Sequence, residues 1–128
     1  MQKIILLFSL IIALNVQARN EVDSLLAISS STKEPDSTRL MALYIVAWDI
    51  YLYDQPDSAY YYGNKYLELA KKLKSKNDMA NAYNTIGTSF WLKGEMLSAL
   101  NYYEKSLALH KETNNKKGMS GVLNNMGL

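Results

Sequence analysis

The chain has 128 residues, 48% of them apolar and 20% charged, which suffices for one small globular domain and not for two. Fourteen basic against twelve acidic residues leave a formal charge of +2, too balanced for a surface that holds nucleic acid by bulk charge. The absence of Cys excludes disulfides and thiolate metal sites but does not point to a compartment.

Residues 1–18 have the layout of a secretory signal. Lys3 gives a positive start, Ile4–Leu14 is an apolar run broken only by Ser9, and Val16-Gln17-Ala18 resembles a small-residue cleavage site. Cleavage after Ala18 is expected, with an uncleaved N-terminal anchor as the alternative. The run of eleven residues is about half the ~20 that span a bilayer, and no Cys follows it for lipid attachment. Losing Lys3 leaves 13 basic against 12 acidic residues, so the expected mature chain is nearly neutral and exported, periplasmic or extracellular.

Residues 19–36 read as a lead-in. Val22, Leu25, Leu26 and Ile28 predict a short helix within Asn20–Ser30, and the Ser, Thr, Lys, Pro and Asp of Ser29–Ser37 predict a loop that ends in a helix N-cap. Further helices are predicted at 37–53, 56–75, 78–93, 96–113 and 117–128. Gly94 ends the third of these in a left-handed turn, and Asp54 holds the equivalent place one repeat earlier. Pro56 fits the first turn of the next helix, where its missing N–H is not needed. Lys71, Lys72, Lys74 and Lys76 crowd the end of that helix, where they complement its dipole more simply than they form a basic patch. Connections this short make neighbouring helices antiparallel.

The chain also repeats itself at an offset of 40 residues. Thirteen pairs are identical, among them Leu52/Leu92, Ala59/Ala99, Tyr62/Tyr102, Leu67/Leu107, Asn84/Asn124 and Gly87/Gly127. A fixed period of this size marks a stacked array, and such arrays work by presenting a surface. In the fullest copy, Tyr83, Ile86, Gly87 and Phe90 define the buried face of the first helix, and Ala99, Tyr103, Ser106 and Leu107 that of the second. Gly87 and Ala99 are the small residues that a close helix crossing requires.

These residues resemble the tetratricopeptide repeat. Tyr83-x-x-Ile86-Gly87-x-x-Phe90, followed by Gly94, Ala99 and Tyr103, is similar to that family's W-x-x-L-G-x-x-Y…G…A-x-x-x-F. A worn copy precedes it (Leu43, Val46, Ala47, Ile50, Ala59, Gly63), and Leu123, Met126 and Gly127 begin a third. Lys111 stands where the pattern closes with Pro, and the period exceeds the usual ~34 residues; both features fit the long-helix repeats of bacterial sensor proteins. The resemblance implies an all-α fold, an antiparallel helix-pair solenoid of about two and a half repeats over residues 37–128 (roughly 40–79, 80–119 and a partial 120–128).

In that family the first helix of each pair lines a concave groove that binds peptides. Carried over by position, the groove residues are Tyr44, Trp48 and Tyr51, then Asn81, Asn84, Thr88 and Trp91, then Asn124. Trp and Tyr anchor partners and Asn pairs with a peptide backbone; the two Trp residues serve equally well as packing against a neighbouring helix. No groove position is basic, which argues against a clamp for C-terminal carboxylates.

Catalytic chemistry finds no support. His110 is the single His and reads as a surface residue late in a helix; Glu104 and Glu112 read as solvated partners of nearby Lys. No phosphate loop, nucleophile elbow or metal spacing occurs, and no cofactor is expected. Tyr60-Tyr61-Tyr62 reads as straddling the core and surface of one helix rather than as a stacking platform for bases. The expected function is a protein-binding scaffold, with the sensory input region of a longer bacterial signalling protein as the alternative. The pattern stops half a repeat in, so self-association through an uncapped last half-repeat is also expected.

Overall fold

The computed structural model describes residues 1–127 and is all-helical, with no strand among them. The helices are α1 (Gln2–Ser30), α2 (Asp36–Tyr44), α3 (Pro56–Lys72), α4 (Lys76–Leu92), α5 (Met96–Glu112) and α6 (Lys116–Asn125). A π-helical stretch, Ile45–Tyr51, carries α2 onward without a break in direction. The final position of the helix expected at 117–128 falls outside the described residues.

The last four helices begin 20 residues apart, at Pro56, Lys76, Met96 and Lys116. The turns between them explain this regularity. The N–H groups of Ser75, Glu95 and Asn115 each reach back five residues, to the carbonyls of Ala70 (3.0 Å), Phe90 (2.9 Å) and His110 (2.8 Å). Each turn passes through one left-handed residue: Lys74 (φ 55°), Gly94 (φ 79°) and Asn114 (φ 52°). This is the Schellman closure, in which the last carbonyls of a helix are satisfied by the two residues that follow it. Asp54 is not left-handed. There the chain closes differently: Gln55 N–H bonds the Tyr51 carbonyl, four residues back, at 2.8 Å.

A left-handed Lys strains its Cβ against the following carbonyl, whereas Gly has no Cβ to strain. Lys74→Gly is therefore expected to raise stability by about 1 kcal/mol, read as a higher urea midpoint at unchanged slope. An unchanged or lower midpoint would show that the turn carries no strain.

Consecutive helices pack antiparallel. Tyr44 of α2 meets Tyr66 of α3, and Tyr51 of the π stretch meets Tyr62 of α3. Gly63 lies against Ile86 across α3 and α4, and Gly87 against Tyr103 across α4 and α5. α4 and α6 run parallel, tied by Asn125 Nδ2 donating to Asn84 Oδ1 at 3.0 Å and Asn115 Nδ2 donating to Asn77 Oδ1 at 3.2 Å. The main core joins α2, α3 and α4 through Leu40, Leu43, Tyr66, Leu67, Ala70, Ala82 and Ile86. A smaller one joins α5 and α6 through Ala99, Tyr103 and Val122.

The N-terminal segment differs from the expectation of a signal followed by a separate short helix. One 29-residue helix runs through both regions. Its first twenty residues are exposed, while Val22 and Ser29 are buried and Leu26 packs on the main core. Arg39 Nε ties its end to α2 by donating to the Ser29 carbonyl at 3.2 Å. The helix is long and apolar enough to cross a bilayer, a property that signal sequences and anchors share.

Candidate interaction groove

One face of α2 and its π extension, together with the facing side of α4, carries most of the side chains in question. Tyr44 and Trp48 stack with ring centres 6.3 Å apart and planes 9° apart. The edge of Tyr44 meets Tyr66 at 6.1 Å. Beside this pair is a hollow of about 240 Å³ lined by Ser37, Met41, Tyr44, Tyr66, Asp78 and Asn81. Its floor is fixed by hydrogen bonds: the Tyr66 hydroxyl donates to Asp78 at 2.7 Å, and the Ser75 hydroxyl donates to the other oxygen of the same carboxylate. Burial and the adjacent carboxylate hold the Tyr66 hydroxyl far above its ordinary pKa, so it is a permanent donor. For Tyr44, burial and then the field of Asp49 act in the same direction.

A second hollow, about 400 Å³, opens further along α4 and is lined by Tyr53, Thr88, Trp91, Tyr103, Asn124, Asn125, Met126 and Gly127. Tyr103 donates its hydroxyl to Thr88 Oγ1 at 3.0 Å, and Thr88 in turn donates to the Asn84 carbonyl at 2.9 Å. Trp91 is 47% exposed.

Tyr44 and Asn81 thus meet in the first hollow, and Thr88, Trp91 and Asn124 in the second; Asn84 is engaged with Asn125. Trp48 lies on Tyr44 at the edge of the first. Tyr51 stands apart. It stacks on Tyr62 at 5.5 Å and lines a different hollow, with Arg19, Val22 and Asp23 of α1. Tyr53 takes the groove position in its place. In an α-helix, residue 51 follows residue 48 on one face; a π turn holds about 4.4 residues, so residue 53 comes round instead. Nothing in the sequence marks a π turn, so Tyr53 carried no signal. Asp78 was equally silent, because its role depends on Tyr66, twelve positions earlier.

His110 corrects the surface reading. It is 1% exposed, and its ring lies over Gly118, where a Cβ would come within 2.4 Å of Cε1. The 40-residue register shows how room was made: Tyr66, Ala70 and Asp78 of one copy become Ser106, His110 and Gly118 in the next. The bulk has moved one turn along the helix, and the position across from it has lost its side chain. Ser106 uses the space to donate to the Ala80 carbonyl at 2.7 Å.

Burial lowers the His110 pKa below its usual value, and Nδ1 has no hydrogen-bond partner. Below pH ~6.5 the unfolded chain binds a proton that the folded chain refuses, so this group costs stability as pH falls toward its folded-state pKa and has no effect above pH ~6.5. The urea midpoint is expected to fall between pH 7.5 and pH 5 by more in the wild type than in His110→Gln, both pH values bracketing the ordinary His range. Equal falls would remove His110 as a cause.

Among the described residues no three His, Cys, Asp or Glu side chains come close enough to hold a metal ion. Comparison with protein-family models, curated proteins and solved structures found no match. The arrangement itself offers aromatic faces, amides and two carboxylates along a surface open to solvent.

Proposed function

We propose that the chain is an exported protein-interaction scaffold of tetratricopeptide type, holding an extended segment of a partner along the α2–α4 groove. The observation that carries this reading is aromatic surface at two hollows: Tyr44, with Trp48 stacked on it, at the first, and the exposed Tyr53 and Trp91 at the second. Rigid aromatic surface of this kind supplies most of the energy in protein recognition. The 40-residue period and the parallel placement of α4 and α6 agree with a helix-pair solenoid. Export rests on the apolar N-terminal helix. Met96 and Leu100 of α5, both exposed, border a hollow with Met126 after α6, a surface through which copies of the chain would associate.

The test is a pull-down from the exported fraction with the wild type and a Trp48→Ala/Trp91→Ala variant. The variant is expected to lose partners that the wild type retains, at unchanged helical content. Identical partner sets would remove the groove from the reading.

A further inference from the structure

The chain treats its aromatic rings differently on two faces. On the flank where α3, α4 and α5 meet, Lys93 Nζ lies 5.5 Å from the Tyr60 ring centre and 4.8 Å from that of Phe90. Lys105 lies 5.0 Å from Tyr102 and 5.8 Å from Tyr83, and Lys71 lies 5.9 Å from Tyr83. Every ring of that flank is covered by one of the chain's own ammonium groups. The rings of the groove, Tyr44, Trp48, Tyr53 and Trp91, have no such cation among the described residues.

Nor does either hollow include a Lys or Arg in its lining. The charges at the first hollow are negative, and the lining of the second carries none. Asp78 borders the first hollow, and Asp49 is near enough to Tyr44 to act on its hydroxyl. Asp78 accepts from Tyr66 and Ser75 but keeps further lone pairs for a third donor.

We propose that the groove selects a basic segment: an extended peptide with a Lys or Arg side chain that lies on Trp48 and faces Asp49 and Asp78 at the first hollow. This rests on the groove reading above and adds the chemistry of the partner. A ring face is electrostatically negative and attracts an ammonium or guanidinium, Arg adding planar stacking. An acidic segment meets the same rings with two carboxylates against it and no cation to relieve them.

The test is selection of random peptides, about twelve residues long and so ~40 Å when extended, displayed on phage against the full chain at ~0.1 M salt. Wild type, Trp48→Ala and Asp49→Lys are compared; Asp49 is exposed, so its replacement leaves the core intact. Lys and Arg are expected to be enriched about threefold over the unselected library, the size of one exposed cation–π contact. A recovered basic peptide should bind Asp49→Lys about tenfold more weakly and lose affinity as salt rises. Peptides that need Trp48 but show no basic bias would overturn this inference and leave the groove standing. Recovery of no peptides, or binding indifferent to Trp48→Ala, would overturn both.

Discussion

Tyr66→Ala lowers the free energy of unfolding by about 3–5 kcal/mol, the largest loss expected from any single truncation in this chain. The ring is 1% exposed and lies among Leu40, Leu43, Leu67, Ala70, Ala82 and Ile86, so its removal leaves a cavity bordered by three helices. The edge contact to Tyr44 and the hydrogen bond to Asp78 go with it. A small domain has only about 5–15 kcal/mol of stability in total, so the variant loses a large share of it and its urea midpoint, followed by circular dichroism, is expected to fall sharply. Tyr66→Phe separates the two contributions. It keeps the ring and removes one donor from a carboxylate that retains Ser75, and should cost roughly 1 kcal/mol. A Tyr66→Ala variant with the wild-type urea midpoint would place the core elsewhere.

Gly87→Leu is expected to cost about 3 kcal/mol or more, at the upper end for overpacking. A Cβ at Gly87 would come within 2.9 Å of Tyr103 Cδ1 and 3.2 Å of the Ala99 carbonyl oxygen. The second contact is with backbone, so no rotamer change relieves it; α4 and α5 must separate. Separation strains the Tyr103–Thr88 and Ser106–Ala80 hydrogen bonds, which cross the same interface. Gly121 is the internal control, because nothing lies within 4 Å of a Cβ there. Gly121→Ala should be stabilising, by about 0.5–1 kcal/mol, through helix propensity alone. Equal effects at the two glycines would refute the close crossing.

Much of this molecule was legible because its helices are amphipathic and its spacing is regular. Of the eight residues chosen for their helical spacing, Ile86, Gly87, Ala99, Tyr103 and Ser106 are buried, while Tyr83, Phe90 and Leu107 are half-buried. The tight contact of Gly87 with Ala99 follows from two small residues at facing positions. The helix boundaries from Pro56 onward fall within three residues of expectation, since Pro56 and Gly94 punctuate the chain and the turns repeat. Lys74 and Asn114 were not legible as left-handed residues. They adopt that conformation because the 20-residue cadence imposes the same closure on every turn, whatever side chain occupies it.

The placement of the named aromatic and amide side chains was read with less success for a related reason. Tyr44, Asn81, Thr88, Trp91 and Asn124 border its two hollows, but Tyr51 turns toward α1 and Tyr53 replaces it. Counting by 3.6 residues assigns faces only while the helix keeps that pitch, and the π stretch from Ile45 to Tyr51 does not.

Local pattern, then, was enough to specify an all-helical chain with a 40-residue period, its buried stripes and its close crossing at Gly87, because each of these depends on spacing within one helix or between like positions of two. The burial of His110 and the aromatic set facing the groove depend on what lies across an interface. His110 is inside because Gly118, on the next helix, yields the volume, and Tyr53 faces the groove because one wide turn rotates everything after it. Neither cause is written in the neighbourhood of the residue it governs.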